Sequence, residues 1–253
     1  MDLSGRVAIV TGGGTGIGRA TSLLLAGAGA RVVVGYSRSE KDATSTVEEA
    51  RALGTEAIAH QVNIADEAMV GEMVAASAKR FGRLDFLVNN AGTTHFIAHP
   101  DLDALTDGVW DDILSVNLKG TFFCCRAAAS ELKKANGAIV NVSSIAAHRA
   151  AGSSIPYAVS KAAIVQLTRS LALALAPGVR VNSVSPGLVA TRWTSDRIGE
   201  ELSAKREESF VRSTPTQKIV TPGEVGQAII ALLLNEAITG QDLVVDGGKN
   251  IVY

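Results

Sequence analysis

Aromatic side chains are scarce in this chain, at 4% of 253 residues. A core that rings cannot fill has to be built from Ala, Val, Ile and Leu, the filling of parallel sheets covered by helices on both faces. Charge of one sign is also missing: 24 Lys and Arg stand against 25 Asp and Glu, a net charge of −1. That excludes an electrostatic footprint for nucleic acid or for an anionic membrane. Cysteine is reduced to the adjacent pair Cys124-Cys125 in an apolar stretch. A vicinal pair has the spacing of neither a disulfide framework nor a usual metal site, and it predicts two buried, reduced thiols. The histidines His60, His95, His99 and His148 are scattered without ligand spacing, so no metal is expected. No uninterrupted apolar run approaches the ~20 residues of a membrane-spanning helix. The opening MDLSGRVAIV has too short an apolar run for a signal peptide, and Asp2 is wrong for one. The expectation is a soluble, cytoplasmic protein with no nucleic-acid or membrane partner.

What is present is alternation. Apolar, β-branched runs at 6–11, 30–36, 56–62, 84–90, 137–144, 179–187 and 242–248 alternate with longer helical stretches. These include a helix from Gly16, one opening near Asp66 and closing at Lys79-Arg80-Gly82, two separate helices near 103–118 and 120–134, and one carrying Tyr157 as far as Ala176. Continuously apolar strands alternating with helices predict an α/β fold, a single Rossmann-like doubly wound parallel sheet with helices on both faces. No linker or repeat interrupts it, so one domain is expected over 1–253. The least regular part, about 188–220, falls after a strand end, where a lid over a ligand or a plain surface hairpin would both suit the pattern. From Ala162 to Ala176 the only charge is Arg169. A helix apolar nearly all round needs cover on both sides, which predicts a homo-oligomer, dimer or tetramer.

Two stretches carry chemistry. TGGGTGIGRA (11–20) follows the first strand and opens the first helix. Gly12, Thr15, Gly16, Ile17 and Gly18 there would bring backbone close to a pyrophosphate facing free N–H groups. The second strand then ends in Tyr36, Ser37 and Arg38, with tyrosine where an acid would favour NAD. A hydroxyl and a guanidinium suit a 2′-phosphate, so the pattern favours NADP(H), with NAD(H) the alternative. In SIPYAVSK (154–161), Tyr157 and Lys161 share one helix face. A cation there would lower the phenol's pKa from its usual value of about 10.

TGGGTGIG (11–18), NNAG (89–92), NVSS (141–144) with Tyr157-x-x-x-Lys161, and SPGLVAT (185–191), in this order, resemble the short-chain dehydrogenase/reductase family over essentially the whole length. The resemblance implies hydride transfer between a nicotinamide and a carbonyl or alcohol, including 3-oxoacyl types. Its catalytic set falls on Asn117, Ser144, Tyr157 and Lys161. It implies Tyr157 as proton donor, Lys161 as its tuning cation, Ser144 as donor to the substrate oxygen and Asn117 as part of a proton relay. It places Asn90, Ala91 and Gly92 beside the adenosine and ribose, and Asn63 and Ile64 at the adenine, with Asn63 where relatives usually carry Asp. Pro186, Gly187, Val189 and Thr191 fall on the segment that holds the carboxamide. Two other readings are a nucleotide sensor without turnover and an NAD(H)-dependent alcohol or sugar dehydrogenase. The intact set of four speaks against a sensor. Thr94, His95 and Phe96, Ile145 and His148, and Leu188 and Trp193 are the candidate substrate-pocket residues. No arginine cluster is apparent along the chain that would announce an acidic substrate.

Overall fold

In the computed structural model, which describes residues 2–252, seven strands form one parallel sheet. Met1 and Tyr253, the two ends of the expected domain, lie outside the described residues. The strands are β1 (Val7–Thr11), β2 (Arg31–Tyr36), β3 (Ala57–Gln61), β4 (Phe86–Asn89), β5 (Ala138–Val142), β6 (Arg180–Pro186) and β7 (Asp242–Val245), in the order β3-β2-β1-β4-β5-β6-β7. The inner strands β1, β4 and β5 are buried at every residue, whereas β3 and β7 at the edges alternate or are half exposed. Side chains alternate faces along a strand, and β1 shows the result. Ala8 and Val10 join the core under one helical layer, while Val7 and Ile9 join the core under the other.

The first layer holds α1 (Gly16–Gly27), α2 (Glu40–Ala52) and α9 (Pro222–Leu234). The second holds α3 (Glu67–Phe81), α5 (Thr121–Ala135) and α6 (Ile155–Leu175). Three of these helices start at a side-chain cap. Asp66 accepts from Ala68 and Met69, Ser154 from Tyr157, and Thr221 forms a reciprocal capping box with Glu224. The chain crosses from β3 to β4 past β2 and β1, so the carboxyl ends of β1 and β4 flank the point where strand order reverses, the crevice that open α/β sheets use for ligands.

The two helices expected near 103–118 and 120–134 are one continuous rod with a changed middle. The element α4 (Asp107–Leu114) passes through a π-helical turn, Ser115–Gly120, straight into α5. The missing side chain of Gly120 serves packing. A Cβ there would lie 2.8 Å from both the Ile64 side chain and the Ile64 carbonyl oxygen. The segment after β6 folds as α7 (Arg192–Ile198) and α8 (Glu200–Arg212), and it is tied back by a bridge between Val189 and Val220. Both expected thiols are buried and unpaired in α5, and burial drives them up, Cys125 to about 12. Helix α6 is long and apolar enough, by length and composition, to cross a membrane. Its inner face packs on β6, and Leu173 is left 83% exposed.

Candidate active site

The carboxyl ends of the strands open into a cleft of about 1720 Å3. Its floor includes the start of α1, where Thr15 at the N-cap makes no side-chain hydrogen bond and no acidic residue occupies the first turn. The N–H groups of that turn are therefore free donors facing the cleft, unlike those at the capped helices. Gly12, Thr15, Gly16 and Ile17 line this floor, with Tyr36, Ser37 and Arg38 at one end and Asn63 and Ile64 beside them. Asn90, Ala91 and Gly92, then Pro186, Gly187, Val189 and Thr191, line the walls. Of the expected cofactor contacts, Gly18 alone does not line the cleft. A Cβ on Gly18 would collide with the Gly12 carbonyl oxygen and the Asn90 amide, so this glycine lets the helix close onto the loop. The uncapped donors and the absence of acid fit a diphosphate at this floor.

At the ribose end the acids are committed and the cation is not. Glu40 lies against the Tyr36 phenol, whose pKa is raised by burial and then by that carboxylate. Asp42 pairs with Arg192 across the cleft at 2.9 Å. Arg38 is exposed, lines the cleft and has no carboxylate partner among the described residues. Asn63 Oδ1 accepts from the Ala65 N–H, which leaves its amide N–H groups free.

Tyr157 and Lys161 lie one turn apart on α6, with Lys161 Nζ 5.6 Å from the phenol ring centre. Lys161 is buried and its Nζ donates to the Val142 carbonyl at 2.8 Å. Ser143 and Ser144 both line the cleft, but the Ser143 hydroxyl donates to the Lys161 carbonyl at 2.8 Å, whereas the Ser144 hydroxyl lies beside the Tyr157 phenol and accepts from the Ala146 N–H. Asn117 does not line the cleft. It is buried in the π turn and clamps the loop after β4: Thr93 N–H donates to its Oδ1 at 2.8 Å, and its Nδ2 donates to the Thr93 carbonyl and to Ser160 Oγ, each at 3.0 Å. Its main-chain carbonyl accepts from Thr121 Oγ1 at 2.7 Å. The relay expected of this residue is thus not a matter of its side chain, which is spent on holding Gly92 and Thr93 next to Lys161.

The expected tuning of the phenol runs the other way in this structure. Burial raises the Tyr157 pKa above the usual phenolic value; the Ser144 hydroxyl, Arg197 and Arg206 pull it down by less. Burial also lowers Lys161, to about 8. Desolvation disfavours the charged form of each group, and for Tyr157 it outweighs the pull of Ser144 and the two arginines.

Thr94, His95, Phe96, Ile145, Leu188 and Trp193, the candidate substrate-pocket residues, all line the cleft. Thr94 is fixed there by Ser153, with 2.5 Å between the hydroxyl oxygens. His148 is a correction: its Nε2 lies 2.8 Å from Asp242 Oδ2, turned from the cleft to the edge strand, where Asp242 also accepts from Ser183 and Ser185. The absence of an arginine cluster is a second correction. Arg149, Arg197 and Arg206 come from separate segments, and the fold brings them with Lys249 to the same cleft. Sequence spacing has no signal for that convergence. Also missed was a buried polar chain under the site. Asn89 donates to Asn141 at 2.9 Å and to Cys125 Sγ, and Asn141 donates to Thr168 at 2.9 Å. The register Asn89↔Asn141 is what pairs the two amides. Among the described residues, no group of three or more His, Cys, Asp or Glu could hold a metal ion.

Residues 12–250 match a family model described as enoyl-(acyl carrier protein) reductase. The chain is 42% identical over 247 residues to the protein assigned as ketoacyl reductase 2 of the granaticin polyketide synthase of Streptomyces violaceoruber, covering 97% of this chain and 96% of that one. It is 36% identical to the 3-oxoacyl-[acyl-carrier-protein] reductase FabG of Thermotoga maritima, covering 98% and 99%. Among solved structures, a short-chain alcohol dehydrogenase, so assigned, from Sinorhizobium meliloti superposes with a TM-score of 0.90 at 33% identity, covering 100% and 99%. With the parallel sheet, the uncapped glycine-rich floor and the tyrosine–lysine wall already described, this similarity over nearly the full length makes the chain a member of the short-chain dehydrogenase/reductase family, oxidoreductases that pass a hydride between a nicotinamide cofactor and a carbonyl or alcohol.

Proposed function

We propose that the chain is an NADP(H)-dependent carbonyl reductase whose substrate is a ketone or 3-oxoacyl-type compound, with Tyr157 as the proton donor. The observation that carries this reading is the meeting of the Tyr157 phenol and the Ser144 hydroxyl on one wall of the cleft, above a floor of free N–H donors. The bound cofactor supplies the hydride. Tyr157, kept neutral by burial, holds its proton for the carbonyl oxygen. Ser144 donates a hydrogen bond to the same oxygen as its charge grows. Lys161, at about 8, is largely an ammonium at neutral pH and favours the phenolate left behind. Asn117 keeps the loop at Gly92 and Thr93 against that ammonium and is a positioning residue. The names of the relatives, ketoacyl and 3-oxoacyl-carrier reductases, support the substrate class.

The uncommitted Arg38 supports NADP(H) over NAD(H), because the acids beside it are already held by Tyr36 and Arg192. Arg38→Ala is expected to weaken NADPH binding by about tenfold or more, the loss of a charge-assisted contact, and NADH binding by less than twofold. Fluorescence titration with both cofactors checks this, and equal weakening would point to NAD(H).

The exposed outer side of α6, with Leu173 at 83% and Val159 at 45% exposure, supports a second copy of the chain as its cover. Leu173→Glu is expected to lower the particle mass seen by light scattering. An unchanged mass would move the interface elsewhere.

A further inference from the structure

Helix α8 carries three cations, and they are treated differently. Lys205 pairs with Glu201 at 2.6 Å and Arg212 with Glu208 at 3.0 Å, each one turn away on the outer side. Arg206 has Leu202 and Phe210 at those positions and no carboxylate partner among the described residues. Instead its guanidinium lies over the Phe96 ring, 5.6 Å from the centre, and lines both the substrate end of the cleft and a smaller adjoining cavity of about 250 Å3. Three other cations lining the cleft are hydrogen-bonded within the protein. Arg149 donates to the Lys249 carbonyl, Lys249 to Ser213, and Arg197 to the Trp193 carbonyl at 2.9 Å.

His99 lines the wall of that smaller cavity. The cavity is bounded by the loop 96–99 and by Gly152 and Ser153, and these are locked together by the Ile97 N–H donating to the Ser153 carbonyl at 2.9 Å. The wall is therefore built before any ligand arrives. The guanidinium lies beside the Phe96 ring and has no carboxylate partner among the described residues, which leaves its fork free for the two oxygens of an oxyanion.

We infer that Arg206 forms a subsite for an oxyanion, carboxylate or phosphate, carried by the substrate at a short distance from its carbonyl. This rests on the reductase reading above and adds a substrate class to it: the compound reduced at Tyr157 is acidic. Arg206 would set specificity, drawing the acidic end under α8 while the carbonyl end meets Ser144 and Tyr157. The subsite is exposed at Arg206, so its attraction weakens with salt.

Matched substrates test this with the full-length enzyme and NADPH: acetoacetate against methyl acetoacetate for the carboxylate, and dihydroxyacetone phosphate against dihydroxyacetone for the phosphate. The wild type is expected to favour the acidic member of at least one pair in kcat/KM by about tenfold or more, the scale of one charged hydrogen-bonded contact. Whichever pair shows it identifies the oxyanion. Arg206→Gln should reduce that preference to below threefold, mainly through KM, and Arg206→Lys should restore part of it. A preference that survives in Arg206→Gln, or none in the wild type while the neutral ketones turn over, overturns the inference and leaves the reductase reading standing. If no pair turns over, it is the substrate class of the reductase reading that fails. Calorimetric titration of acetoacetate and of inorganic phosphate into the NADP+ complex then decides the subsite alone. Binding weakened about tenfold by Arg206→Gln supports it, and equal or absent binding in both proteins rejects it.

Discussion

Tyr157→Phe is expected to cut NADPH-dependent carbonyl reduction by 10²- to 10⁴-fold, the usual worth of a positioned general acid, while cofactor binding stays within about threefold. The substitution removes one oxygen from a half-buried ring and leaves the helix, its Ser154 cap and the packing of Gly152 against the ring unchanged in outline. The loss should therefore fall in kcat. Absorbance at 340 nm under saturating substrate reads turnover, and fluorescence titration reads binding. Turnover within tenfold of wild type would remove Tyr157 as the proton donor. A parallel loss of cofactor affinity would instead assign the phenol a binding role.

The second large effect concerns Lys161, and it pulls activity and stability apart. Burial places its pKa at about 8, below its ordinary value. The folded state thus binds this proton less tightly than the unfolded chain does. By linkage the cost to the fold is complete below pH 8, shrinks as pH rises from about 8 to 10.4, and is gone above that. The size of the shift corresponds to about 3 kcal/mol, and the Val142 carbonyl left unpaired by substitution takes back about 1–2 kcal/mol. Lys161→Met is therefore expected to raise the melting temperature of the cofactor-free protein at pH 7 by roughly 2–8 °C, and by about pH 10.5, where only the unpaired Val142 carbonyl still counts, to lower it. Its reductase activity should fall by about 10²-fold or more. Thermal melts at both pH values and steady-state rates check the two halves. A variant less stable than wild type by the same margin at both pH values would mean that the buried ammonium costs the fold nothing. A functional site that strains its own fold is a recurrent trade in enzymes.

The pattern of residues was enough to give the doubly wound sheet. Runs such as RVAIVT and GAIVNVSS are apolar on both faces because helices cover both, and that is a local, periodic property. It was also enough to give the tyrosine–lysine face, since residues four apart on a helix stay together whatever the helix packs against. Ser144, not Ser143, meets the phenol because the Ser143 hydroxyl is held by the Lys161 backbone.

What needed three dimensions was everything that depends on separate segments meeting. Asn117 is a buried clamp on Thr93 because a π turn aims its amide inward, and no period along α4 and α5 encodes that turn. His148 leaves the pocket because Asp242, 94 residues away, accepts from it on the edge strand. Tyr157 is raised, not lowered, because burial acts through all the surrounding atoms, while sequence displays only the neighbouring charge. Arg149, Arg197 and Arg206, scattered in sequence, line one cleft in the fold. By itself the sequence determined the sheet, the glycine-rich turn at its first strand and the tyrosine–lysine face, because each is written in short-range spacing. Only tertiary structure decided which charges and hydroxyls are free to meet a ligand, because being free depends on partners far along the chain.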